Sequence, residues 1–154
     1  MEENRTNEYF RKINYYETDR MGITHHSNYI RFMEEARIDF LERIGCGYDK
    51  WEKEGILSPV TGLECKYKRP TTFGDGLKIR VAIKEYRHVR LSVSYTMINA
   101  ETGEPVFEGV SHHCFVNAEG KPVALSRKYP AFDALLKNQM TEQETVREDC
   151  DTDG

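Results

Sequence analysis

Asp19, Gly22, His25 and His26 fall within eight residues of one another, just ahead of a stretch with helical periodicity that begins at Tyr29. A carboxylate in such a place can attack a carbonyl directly or activate a water against it. A neighbouring histidine can hold that water, tune the carboxylate or donate to a leaving group. Gly22 permits a tight or left-handed turn between the aspartate and the helix. The backbone N–H groups of His26, Ser27 and Asn28 would open that helix without intrahelical acceptors, and such a terminus carries about half a positive elementary charge. Donors of this kind hold a developing oxyanion, and removing one costs on the order of 100- to 1000-fold in rate. These are the parts of an acyl-transfer hydrolase. The same spacing, D-x-x-G-x-x-x-H, also fits an ordinary capping turn with two solvated histidines, and spacing alone leaves both readings open.

The elements that must position these residues follow from hydrophobic periodicity. Residues 9–17, with Tyr9, Phe10, Ile13, Tyr15 and Tyr16, form a short aromatic β-prone run. From 29 to 44, Tyr29, Phe32, Met33, Ala36, Phe40, Leu41 and Ile44 recur at helical spacing, with charged residues opposite. Ser27 or Asn28 is placed to cap this helix, and Gly45 or Gly47 to end it. A short helix is expected at 48–53 and a strand of mixed polarity at 58–68. Leu77, Ile79, Val81 and Ile83 then alternate with polar or small residues, as do Val89, Leu91, Val93, Tyr95 and Met97. A further strand at 106–116 and a last helix at 131–137 complete the order. One strand, one long helix and about four meandering strands describe an α+β chain whose antiparallel sheet wraps the helix. Its free edges make sheet-to-sheet dimerisation a natural outcome.

The 154 residues fit one domain, and the net charge of −4 is unevenly placed. After residue 140, six acids and one base give −5, which leaves 20 acids against 21 bases in residues 1–140. We therefore expect a near-neutral domain at 1–140 and a disordered acidic tail at 141–154. A near-neutral body argues against general nucleic-acid binding. No apolar run is long enough to insert in a membrane, and the polar start MEENRTNEYF lacks a leader's apolar core, so the cytoplasm is the default expectation. Cys46, Cys65, Cys114 and Cys150 form no CxxC pair, so reduced thiols and no zinc are expected. His112 and His113, adjacent in a strand, should point to opposite faces, one into the core and one outward.

The run YETDRMGITHHSNYIRFMEEAR at 16–37 resembles the signature of hotdog-fold acyl-CoA thioesterases. It is most similar to the 4-hydroxybenzoyl-CoA thioesterase type, including the Tol–Pal-associated enzymes. Asp19, Gly22, His26, Tyr29, Phe32, Glu35 and Arg37 agree together, and the resemblance extends over about residues 9–136. It implies a hotdog fold and hydrolysis of an acyl-CoA without metal or other cofactor. By resemblance Asp19 is the catalytic carboxylate, His26 its neighbour, and the amides of His26 to Asn28 face the acyl carbonyl. Gly22, His25, Ser27, Asn28, Tyr29 and Thr72 would line the substrate site, which should lie between protomers of a homodimer or homotetramer. Two positions depart from the pattern: Glu17 stands where aspartate is common, and His25 where an aromatic is. Coenzyme A needs cations for its phosphates, and Arg69, Arg87, Arg90, Arg127 and Lys128 are the candidates. A non-catalytic acyl-CoA-binding module and a hotdog hydratase or dehydratase are the alternatives.

Overall fold

The computed structural model describes the backbone of residues 7–152 and side chains through residue 144. Five strands, β1 (Glu8–Lys12), β2 (Val60–Tyr67), β3 (Gly76–Arg87), β4 (Arg90–Asn99) and β5 (Pro105–Cys114), form one sheet in the order β1-β3-β4-β5-β2. Every pairing is antiparallel. The long helix α1 (Asn28–Arg43) lies against one face of this sheet. This is the expected hotdog arrangement. The alternating residues of β3 and β4 point Leu77, Ile79, Val81, Leu91, Val93 and Met97 toward the helix, each at most 1% exposed. From α1, Tyr29, Phe32, Met33, Ala36, Phe40 and Leu41 complete the core. Burying each large apolar side chain contributes about 1.5–3 kcal/mol.

Local chemistry refines several expected boundaries. The aromatic run at 9–17 is strand only to Lys12, and Tyr15–Glu17 forms a 3-10 turn. Glu17 causes the break: its buried carboxylate accepts the Asn14 N–H at 2.8 Å and pairs with Arg11. Neither Ser27 nor Asn28 caps α1 with its side chain. The Ser27 hydroxyl is engaged by the His25 ring and the Asn28 amide donates to the Glu17 carbonyl. The C-terminus does close at Gly45, whose φ is +92°. Gly45 N–H donates to Glu42 and Cys46 N–H to Leu41, the paired bonds of a Schellman motif.

The short helices α2 (Tyr48–Lys53) and α3 (Leu125–Lys128) precede and follow the main strands, and α4 (Pro130–Thr152) is far longer than the expected 131–137. The backbone of most of the acidic segment is therefore helical where disorder was expected. Its Glu, Gln and Arg residues are good helix formers. The Gln143 side-chain amide also pairs with both backbone groups of Ile83, and Asp133 accepts from Tyr86. Residues 153–154 and the Cys150 side chain lie outside the described residues.

Gly109 on β5 sets how closely α1 approaches the sheet. A Cβ there would lie 2.8 Å from the Phe107 ring and 3.0 Å from the Met33 sulfur. Met33 can move, but Phe107 is stacked on Tyr29 with ring centroids 5.0 Å apart. Gly109→Ala is expected to destabilise the fold by about 1–3 kcal/mol through overpacking. A lowered urea midpoint at unchanged m-value would show it.

Candidate active site

The segment between the 3-10 turn and α1 is a tight loop with Asp19 at its head. Asp19 N–H donates to the Ile23 carbonyl at 2.8 Å, and its own carbonyl accepts from Gly22 at 2.9 Å. Gly22 sits at φ +79°, the left-handed geometry that most side chains resist. Asp19 Oδ1 accepts the Met21 N–H at 2.8 Å, which fixes the carboxylate plane. Among the described residues Oδ2 has no hydrogen-bond partner, so one oxygen is held and the other is available.

The loop is pinned from two sides. Thr72 donates its hydroxyl to the Gly22 carbonyl at 2.9 Å, and Thr24 N–H donates to Thr71. The buried Thr71 hydroxyl also meets the hydroxyls of Thr24 and Tyr29, at 2.6 and 2.9 Å. On the other side the Glu17 carbonyl accepts from His25 N–H and from the Asn28 side chain, each at 2.8 Å. Glu17, the first departure from the family pattern, thus ties the loop to the helix and to Arg11.

At the helix entrance the backbone donors are not equivalent. Asn28 N–H is committed to the His25 carbonyl at 3.0 Å and Tyr29 N–H to His26 at 3.3 Å. Ser27 N–H meets the His25 Nδ1 at 3.3 Å. Among the described residues the His26 N–H is the one left without a partner. The expected trio of donors therefore narrows to this amide. Tyr67 Oη donates to the His26 carbonyl at 3.0 Å, which orients that peptide. The His26 ring lies tilted by 30° against His25 at a centroid distance of 4.3 Å and meets the Tyr67 ring edge-on.

Two clefts flank this loop, and Asp19 is the one residue that lines both. The smaller, of about 280 Å³, is bounded by Met21, Ile23, Thr24, His26, Tyr29, Tyr67 and Lys68 to Pro70. The larger, of about 710 Å³, is bounded by Tyr15, Tyr16, Thr18, Arg20, His25, Ser27, Asn28 and Arg31. Of the expected substrate-lining residues, His25, Ser27 and Asn28 face the larger cleft and Tyr29 the smaller. Gly22 and Thr72 line neither and instead shape the loop.

The expected phosphate ligands are not gathered here within one chain. Arg69 lines the smaller cleft but is paired with Glu104 at 3.0 Å. Arg87 and Arg90 stand at the hairpin joining β3 to β4. That hairpin is a full strand, 12 residues or roughly 35–40 Å, from the Thr72 end of the sheet. Arg127 and Lys128, in α3, follow the end of β5 that pairs with Arg90. Sequence reasoning passed over Tyr67, Arg20 and Arg31. The signals were faint: Tyr67 inside a basic cluster, Arg20 beside the aspartate, and Arg31 on the helix's polar face.

A second constellation has hydrolytic connectivity. On the outer sheet face Ser92 Oγ meets His112 Nδ1 at 2.7 Å, and His112 Nε2 meets Glu64 at 2.9 Å. It lines neither cleft. His113 points inward instead, as alternation requires, and is 2% exposed. Among the described residues no three His, Cys, Asp or Glu side chains converge as a metal site. No helix among them is long and apolar enough to cross a membrane.

Known proteins share both the sequence and the shape. The family model described as the thioesterase-like superfamily matches residues 13–139. "Putative acyl-CoA thioesterase YneP" of Bacillus subtilis is 32% identical over 120 residues, covering 77% of this chain and 86% of that protein. The 1,4-dihydroxy-2-naphthoyl-CoA hydrolase of Thermosynechococcus vestitus is 24% identical, over 89% of this chain and 94% of its own. Among solved structures, the DHNA-CoA thioesterase of Staphylococcus aureus superposes with a TM-score of 0.84 at 28% identity, covering 91% of this chain and 94% of the other. The loop around Asp19, the helix entrance and the two clefts all lie inside the matched region. This chain belongs to the thioesterase-like superfamily and is a hydrolase of thioesters.

Proposed function

We propose that the chain hydrolyses an acyl-CoA to the free acid and coenzyme A, with Asp19 as the catalytic carboxylate. The observation that carries this reading is the half-free Asp19 carboxylate on the wall shared by two clefts, with His26, whose N–H is unpartnered among the described residues, lining the smaller one beside it. The acyl carbonyl oxygen would accept from the His26 N–H as charge develops on it. Asp19 Oδ2 either takes a proton from water as its oxygen joins the carbonyl carbon, or attacks that carbon itself to give an anhydride that water opens. In the first route the C–S bond of the adduct then breaks and the thiolate takes up that proton. In the second the C–S bond breaks as the anhydride forms, and the thiolate takes up a proton from the water that opens it. The His26 ring positions water or substrate. These steps need no metal and no redox cofactor.

The run at 16–37 favours kinship with the 4-hydroxybenzoyl-CoA thioesterase type within the superfamily. The smaller cleft, walled by Tyr29, Tyr67, Ile23 and Met21, suits an aromatic or short branched acyl group. The names of the dihydroxynaphthoyl-CoA relatives agree with an aromatic acid. Two copies would join along β2, an edge strand whose Val60, Leu63 and Tyr67 are 41–49% exposed. Tyr67 then stands at both the subunit contact and the cleft. Pairs of dimers give the tetramer. A cytoplasmic location fits a substrate made and used there.

Thiol release from a panel of short, long, branched and aromatic acyl-CoAs tests the reading. Turnover should be fastest with aromatic acyl groups. Tight acyl-CoA binding with no thiol release from any member would support a binding module instead. Loss of enoyl absorbance without thiol release would support a hydratase.

A further inference from the structure

Asp19 separates two clefts of different chemistry, and a thioester lying against it must send its acyl chain to one side and its thiol to the other. The smaller cleft is lined by apolar and aromatic residues, and its two cations are already engaged. Lys68 pairs with Glu108 at 2.9 Å and Arg69 with Glu104 at 3.0 Å. The larger cleft has the opposite character. Its cations, Arg20 and Arg31, have no hydrogen-bond or ion-pair partner among the described residues. Asp19 is the one carboxylate on its wall. A guanidinium left free beside a cleft offers bidentate donors matched to phosphate.

The rim of this cleft carries a second unusual feature. Tyr15 and Tyr16 are 76% and 79% exposed, although tyrosine usually buries its ring. Tyr15 is held edge-on by Phe73 at 5.7 Å, and the Tyr16 hydroxyl accepts from the Asn14 amide at 3.1 Å. Ordered, exposed aromatic faces beside paired arginines are a surface on which a purine can stack while its phosphates are held.

We propose that the larger cleft takes the nucleotide end of coenzyme A. Arg20 and Arg31 bind its phosphates, Tyr15 and Tyr16 face its adenine, and the acyl group lies in the smaller cleft across Asp19. This rests on the acyl-CoA thioesterase reading and gives the substrate a direction through the site. It replaces the basic clusters around Arg87 and Arg127, which lie at the far end of the sheet on the same chain.

The test is the double variant Arg20→Ala/Arg31→Ala, with Arg87→Ala/Arg90→Ala as comparison. KM for an acyl-CoA is measured beside KM for the same acyl group on N-acetylcysteamine, which lacks the nucleotide. Calorimetry with free coenzyme A reads binding without turnover. The proposal expects KM for acyl-CoA to rise about tenfold or more in the double variant, with kcat within about twofold. It expects no change on the truncated thioester, weaker coenzyme A binding, and wild-type behaviour from the comparison variant. An unchanged KM and affinity for coenzyme A in the double variant would overturn it. So would equal losses on both thioesters, which would mean that the arginines merely support the Asp19 loop. If the wild type cleaves neither thioester yet the double variant still loses coenzyme A affinity, the hydrolytic reading fails and the cleft assignment stands.

Discussion

Asp19→Asn is expected to lower kcat for thioester hydrolysis by about 100- to 10,000-fold, the usual contribution of a positioned acid–base group. The substitution keeps the shape of the side chain. Its remaining carbonyl oxygen can still accept the Met21 N–H that holds Oδ1 at 2.8 Å, so the turn around Gly22 should persist. What disappears is the charge on the free oxygen, and with it both possible roles. The expected pattern is therefore a fall in kcat at a nearly unchanged KM, with an unaltered melting temperature. Ser92→Ala is the matched control. The Ser92–His112–Glu64 chain has the hydrogen-bond order of a serine hydrolase, but it lies on the open sheet face outside both clefts. Its loss should leave turnover within about twofold. Full activity in Asp19→Asn, or a collapse in Ser92→Ala, would move the chemistry to the other face of the sheet.

The second large effect concerns stability against pH. Arg37 is 8% exposed, and its recorded partners are hydroxyls: it donates to Tyr48 and Tyr95 at 2.9 and 3.1 Å. The chain continues from Tyr95 to Ser111 and from Ser111 to His113 Nε2, each at 2.7 Å. Arg37 can only donate, so donation runs one way, from guanidinium to phenol to hydroxyl to a neutral imidazole. The other ring nitrogen, Nδ1, then carries the hydrogen and points at the Ser58 carbonyl. Protonating His113 would place a second donor against Ser111 and force the chain to reverse toward Arg37. Burial, reinforced by the Arg37 charge, pushes the His113 pKa down from 6.5 to about 4. Between these two values the unfolded chain binds a proton that the folded one refuses. Stability from this group is thus complete above pH 6.5 and is lost as pH falls toward 4, a total of about 3 kcal/mol. His113→Gln keeps an acceptor for Ser111 and removes the titration. Urea midpoints measured across this pH range should fall more steeply for the wild type than for the variant. Parallel slopes would show that His113 is not the group responsible.

Where the sequence was readable, the reason was local. The period of two at 77–83 and 89–97 and the helical stripe at 29–44 each reflect burial on one face, and all three elements form as expected. Asp19, Gly22 and the helix entrance could be singled out because they lie within one turn of chain. The relay from Arg37 to His113 could not, because its members come from α1, β4 and β5 and meet only when the sheet folds over the helix. Arg20 and Arg31 were overlooked for a related cause. Clusters such as 66–69 and 87–90 look more basic in sequence, whereas the loop bend brings two isolated arginines to one cleft. The length of α4 was hidden for the same reason, since Gln143 gains its partners on β3, 60 residues earlier.

That glutamine has a consequence for assembly. β1 pairs with β3 as far as Arg80 and the Asn7 carbonyl accepts the Val81 N–H, and Ile83 lies beyond them on the same border. There the Gln143 amide donates to the Ile83 carbonyl and accepts its N–H, as the backbone of a neighbouring strand would. β1 itself is five residues long and carries Glu8, Arg11 and Lys12. One border of the sheet thus carries a side-chain stopper and a short charged strand, while among the described residues β2 has no strand on its outer side. A ribbon with one adhesive margin can meet only its own equal. The dimer proposed along β2 would then close on itself rather than extend as a fibre.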